Sequence, residues 1–221
     1  MLHSGSQYFA CCGKRICSGC AFAPVYDNRG NKIDKKICPF CRTPWSTSKE
    51  DTLERYKGRV ETGDAYAIYD QGCDYRDGTD GYPQDYEKAL EFWHRAVELG
   101  YSPAYVSIGY AYEHGRGVEI DKKKSIYYYE LAAMGGDVEA RYNLGIMEEN
   151  AGNMNIALRH YIIAVEGGYA DSLKEIQDLY TKGYTTKEDY MKALQSYQAY
   201  LGEIKSDARD SAAASHGFRY Y

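Results

Sequence analysis

From residue 48 onward, apolar and small positions recur at helical spacing, with polar residues and glycines between the runs. Thr47-Ser48-Lys49-Glu50 reads as a helix start, and Leu53, Tyr56 and Val60 then line one face, predicting a helix over about 48–62. Beyond it the pattern repeats. Ala67, Ala104, Ala140 and Ser172 correspond, followed five residues later by Gly72, Gly109, Gly145 and Gln177, and three further on by Tyr75, Tyr112, Glu148 and Tyr180. A second set follows: Ala89, Ser125, Ala157 and Ala193, each with an aromatic four residues on (Trp93, Tyr129, Tyr161, Tyr197). Ala96, Ala132 and Ala164 continue that face, and Gly100, Gly136 and Gly168 suit helix C-terminal caps.

The spacings identify helical hairpins. From each second-helix small residue to the next first-helix anchor the distance is 15 every time, whereas within a hairpin it is 22, 21, 17 and 21. Length variation therefore falls in one loop on one edge, as expected when each hairpin docks its neighbour at fixed geometry. A small residue on one helix can receive an aromatic from the next, and a tyrosine there can keep its hydroxyl in water. The chain has 25 tyrosines against five phenylalanines.

The run from Ala104 to Asp121, with its Gly115-Arg116-Gly117-Val118 turn, resembles the Sel-one-like repeat, a variant of the tetratricopeptide-type hairpin. The resemblance covers roughly residues 64–202. It implies an all-α, right-handed helical-hairpin solenoid of about four repeats and a role as an interaction scaffold for protein partners. The third repeat lacks the Gly-x-Gly-Val turn, and the fourth reads Lys182-Gly183-Tyr184-Thr185-Thr186 there.

Residues 1–45 are of another kind. They hold six of the seven cysteines and seven Lys/Arg against two Asp/Glu, while the remainder carries 20 against 30 within a net charge of −5. Four organisational segments are expected: a zinc-binding module at 1–45, a linker and capping helix at 46–63, the repeats at 64–205 and a flexible tail at 206–221. No apolar run reaches the ~18 residues of a membrane helix, and no basic, apolar secretory leader is read at the N-terminus. Two Cys-x2-Cys pairs without such a leader favour metal thiolates over disulfides, hence an intracellular compartment, cytoplasmic or nuclear.

Some forty residues need a staple, and thiolates suit tetrahedral Zn2+. Cys17-x2-Cys20 and Cys38-x2-Cys41 have the spacing of a four-cysteine site. The longer stretch Cys11-Cys12-Gly13-Lys14-Arg15-Ile16-Cys17-Ser18-Gly19-Cys20, with Cys38-Pro39-Phe40-Cys41-Arg42, resembles the RING family. That resemblance implies a cross-brace in which the first and third ligand pairs hold one zinc and the second and fourth the other. Cys11 and Cys12 would be the second pair, Cys17 and Cys20 the third, Cys38 and Cys41 the fourth. Lys14 stands where many members have histidine, and the first pair is absent. His3, the other candidate ligand, is read as solvated. The simpler alternative is one zinc on Cys17, Cys20, Cys38 and Cys41.

Two functions follow: a non-enzymatic zinc-binding adaptor, or a RING-type ubiquitin-protein ligase whose repeats recruit substrate. A ligase of that family has no nucleophile and works by positioning a ubiquitin-conjugating enzyme, and Pro39 and Arg42 match the family's contact residues for it. Nucleic-acid binding is not expected, because Arg29, Lys32, Lys35 and Lys36 lack interleaved aromatics. Cys73 is expected to be a buried structural thiol. His94, His114 and His160 fall at unequal registers and suggest no catalytic set.

Overall fold

A computed structural model describes residues 6–17, 37–38, 40–41 and 43–204. The expected tail at 206–221, His3 and the lysine cluster at 32–36 lie outside the described residues. Two compact units divide the chain, one running to Tyr101 and the other from Ser102.

The first unit opens with an antiparallel hairpin, β1 (Ser6–Phe9) and β2 (Lys14–Cys17), in which Phe9 pairs with Lys14 across a four-residue turn. Gly13 in that turn has φ +69°, which glycine adopts without strain. Three helices follow: α1 (Lys49–Glu61), α2 (Ala65–Asp77) and α3 (Tyr86–Glu98). Ser48 caps α1 by accepting from the Asp51 N–H, and the Asp64 carboxylate caps α2 by accepting from the Tyr66 and Ala67 N–H groups. The second unit holds α4 (Ala104–His114), α5 (Lys122–Met134), α6 (Val138–Asn150), α7 (Met154–Glu166), α8 (Asp171–Thr181) and α9 (Lys187–Ile204).

The repeat register derived from sequence coincides with the buried seam. Ala67, Ala104, Ala140 and Ser172 have no solvent exposure, and neither do Ala89, Ser125 and Ala157. Trp93, Tyr129 and Tyr161 are buried at the aromatic position. What receives each ring is the glycine of the facing helix, not the alanine. A Cβ on Gly72 would fall 2.7 Å from Trp93, one on Gly109 would fall 2.7 Å from Tyr129, and one on Gly145 would collide with Tyr161. Nor do these hydroxyls stay in water, as the sequence suggested. Tyr129 donates to Glu113 at 2.8 Å and Tyr161 to Glu149 at 2.9 Å. A buried phenol needs such an acceptor.

The hairpin loops close alike. The N–H of the capping residue before each second helix donates to the carbonyl at the Tyr75/Tyr112/Glu148 position: Asp85 to Tyr75, Asp121 to Tyr112 and Asn153 to Glu148, at 2.7–2.9 Å. The first two span ten and nine residues, while in the short third loop the same position is reached by a bond only five residues long at the end of the first helix. Gly100, Gly136 and Gly168 take φ of +87°, +83° and +91° beyond the second helices.

Candidate metal centre

The turn after β1 carries Cys11 and Cys12, and a second loop carries Cys38 and Cys41. This second loop is closed by the Cys38 N–H donating to the Thr43 carbonyl at 2.8 Å and by a bridge pairing Ile37 with Pro44. The four Sγ atoms all lie within 4.8 Å of one another. Cys12 and Cys38 approach to 3.7 Å, and Cys41 and Cys11 to 3.4 Å. These separations are far beyond a disulfide's ~2.05 Å bond. They are near the S···S edge, about 3.8 Å, of a tetrahedron whose sulfurs sit ~2.3 Å from a zinc ion. Donor type, number and spacing therefore fit Zn2+.

Cys38 is fully buried, Cys11 and Cys12 are half-buried, and Cys41 is exposed. The electrostatics split accordingly. Burial and neighbouring sulfurs push Cys11 up, and burial pushes up Cys12, which accepts a backbone hydrogen bond at Lys14. Hydrogen bonds with the Thr43 side chain and backbone draw Cys41 down to about 6.

The four sulfurs brought together are the pairs that the RING resemblance numbers second and fourth. Cys17 ends β2 opposite Ser6, but its side chain lies outside the described residues, as do Cys20, Pro39 and Arg42. Cys73 lies apart on α2, its thiol pushed up by burial. His114 stacks on Tyr110 with ring centroids 4.1 Å apart, and burial lowers both His94 and His160. One set of contacts escaped sequence reasoning: Arg55 and Arg59 of α1 reach the two cysteine loops. Only their i, i+4 spacing could have hinted at it.

Comparison with known proteins identifies the helical part. Residues 65–101, 102–137 and 138–169 match the Sel1 repeat. A Sel1 repeat protein from Oxalobacter formigenes is 27% identical and superposes with a TM-score of 0.59 over 75% of this chain and 66% of its own. The protective antigen c5321 of uropathogenic Escherichia coli, which displays an SLR fold, is also 27% identical, with a TM-score of 0.57 over 75% of this chain and 37% of its own. Two Arabidopsis thaliana proteins are similar in sequence. ERAD-associated E3 ubiquitin-protein ligase component HRD3B is 29% identical over 161 residues, covering 60% of this chain and 26% of that protein. Component HRD3A is 30% identical over 149 residues, covering 54% and 22%. The chain thus spans about a quarter of these curated relatives. No helix among the described residues is long and apolar enough to cross a membrane. Residues 65–169 are Sel1 repeats, and the helical part has the all-α repeat fold of that type.

Proposed function

We propose that the chain is an intracellular adaptor, in cytoplasm or nucleus, in which Sel1 repeats dock protein partners and Zn2+ on Cys11, Cys12, Cys38 and Cys41 staples the N-terminal module. The observation that carries the metal half is the convergence of four sulfurs within 4.8 Å from loops 26 and 30 residues apart. The repeats support the docking half. The first three hairpins bury their small residues and one aromatic each (Trp93, Tyr129, Tyr161) on the seam, while other large side chains lie outside, among them Tyr110, Tyr127, Met134 and Ile163. Such exposed groups supply anchors for a protein interface.

A second function, a RING-type ligase acting with a ubiquitin-conjugating enzyme, is favoured by one observation. The clustered sulfurs are the second and fourth pairs of the family's cross-brace. The Arabidopsis relatives are named as components of a ubiquitin-protein ligase, which supports a place near that chemistry without assigning this chain the transfer step.

The test is zinc stoichiometry on the purified chain, with ubiquitin discharge from a panel of charged conjugating enzymes measured on the same sample. Zinc without discharge supports the adaptor, and zinc with discharge that Arg42→Ala slows supports the ligase. Absence of zinc refutes the staple.

A further inference from the structure

The two cysteine loops share an anchor outside the sulfur cluster. Arg55 and Arg59 stand one turn apart on α1, and each meets a different loop. Arg55 is held by a two-pronged pair with Asp51, both contacts 2.8 Å, and donates from its other nitrogen to the Pro44 carbonyl at 2.7 Å. Pro44 closes the loop of Cys38 and Cys41. Arg59 pairs with Asp64 at 2.7 Å, and this pair sits against the turn of Cys11 and Cys12. A Cβ placed on Gly13 would collide with both the Arg59 guanidinium and the Asp64 carboxylate. The same hairpin inserts Tyr8 between helices. Its ring lies 5.3 Å from that of Tyr56 on α1 and 4.5 Å from that of Tyr66 on α2.

Asp64 has a second duty. Its other oxygen caps α2, the first helix of the first repeat, through the Tyr66 and Ala67 N–H groups at 3.2 Å. One carboxylate therefore links the arginine that seats a cysteine loop to the start of the repeats.

We propose that α1 is the outer part of the metal site: Arg55 and Arg59 each seat one cysteine loop, so that metal binding by the thiols and capping of the first repeat helix stabilise each other. This rests on the metal assignment proposed above. The physical reason is loop closure. Bringing two cysteine pairs together from 26 to 30 residues apart costs chain entropy, and a shared helical anchor lowers that cost before the ion arrives. Linkage then requires the reverse effect: the ion holds both loops, and the loops hold α1 and the Asp64 cap. The arginines are positioning residues: Arg55 donates to the Pro44 carbonyl of one loop, and the Arg59–Asp64 pair lies against Gly13 of the other. Substituting such outer partners typically lowers metal affinity by about 10- to 100-fold.

The test uses the full chain and Co2+, whose thiolate charge-transfer absorption reports the sulfur site directly. Arg59→Ala and Arg55→Ala should each weaken cobalt binding by about tenfold or more while helical circular dichroism is retained. Gly72→Ala strains the same unit at Trp93 without touching either loop, and should keep wild-type affinity. Removing metal from the wild-type chain should speed amide exchange in α1 and the first turn of α2, leaving residues 102–204 unchanged. If both arginine variants bind cobalt as tightly as wild type, or α1 exchange ignores the metal, the coupling is refuted and the metal site stands. A wild-type chain that takes up no cobalt refutes both.

Discussion

Gly109→Ala places the repeat seam under direct test. In an unconstrained helix interior this change gains about 0.8–1.0 kcal/mol, because alanine loses less backbone freedom on folding. On α4 the new Cβ would meet Tyr129 Cδ1 at 2.7 Å, Cε1 at 2.8 Å and Cγ at 3.2 Å, all tighter than ordinary contact. The ring cannot swing away. Tyr129 has no solvent exposure, and its hydroxyl is fixed by the 2.8 Å bond to Glu113. Overpacking of this kind costs about 1–3 kcal/mol, and a pinned ring puts Gly109 in the upper part of that range. After subtracting the propensity gain, the second unit should lose about 1.5 kcal/mol, a fall in Tm of about 6–12 °C for a unit near 100 residues. The control is Gly58→Ala in α1, where nothing lies within 4 Å of the new Cβ and stability should rise by about 1 kcal/mol. Urea unfolding of both variants, followed by circular dichroism and tyrosine fluorescence, measures the contrast. A gain at Gly109 equal to that at Gly58 would refute the claim that the glycine admits the ring.

Other expectations follow from individual side chains. Ala132→Leu, at a site 1% exposed among Val106, Tyr129 and Leu144, should cost about 1–3 kcal/mol, while Arg116→Leu in the exposed loop should change the melting midpoint far less. Cys38→Ser should abolish zinc uptake measured by elemental analysis, and Cys73→Ser, away from the cluster, should leave it intact. Burial, with Arg141 nearby, holds His160 below its ordinary value of 6.5. The unfolded chain then binds the extra proton first, so stability should fall as pH drops below about 6.5 and His160→Gln should flatten that slope in pH-dependent urea titrations.

The hairpin register was legible because three requirements recur at fixed spacing: a small residue, an acceptor for an aromatic, and a capping residue. The chemical partner of the buried hydroxyl was less visible. Glu113 and Glu149 occupy one repeat position, each one residue past the Tyr112/Glu148 slot, and each accepts from the tyrosine of its own hairpin. In the first repeat that position is Arg76, which cannot accept, and the ring above is Trp93, whose buried Nε1 makes no hydrogen bond among the described residues. The substitution of both partners together was a usable signal. For the cysteines, spacing alone could not say which loops meet, because that depends on how each is seated. Tyr8 carried no periodic signal, and its docking on Tyr56 and Tyr66 is a tertiary fact.

The fourth hairpin shows what the glycine does by doing without it. At the position of Gly72, Gly109 and Gly145 stands Gln177, and the aromatic of the hairpin, Tyr197, is only half-buried, where Trp93, Tyr129 and Tyr161 are at most 3% exposed. The anchors on either side are unchanged in kind. Ser172 has no exposure and Ala193 has 3%, so the helices approach through small residues as elsewhere. Close approach alone therefore does not bury the ring. In the three hairpins that bury the ring it lies against a glycine of the facing helix, whereas in the fourth, where the exposed Gln177 stands, it is half-buried. The pair instead closes on Ile176 and Leu179, which are fully buried with Ala157, Tyr161 and Val165, while Tyr190 and Tyr197 pack at the edge of that cluster. Ring burial follows the glycine and not the alanine, and the cost of filling that space should be greatest where the ring is most completely enclosed, at Gly109 and Gly145.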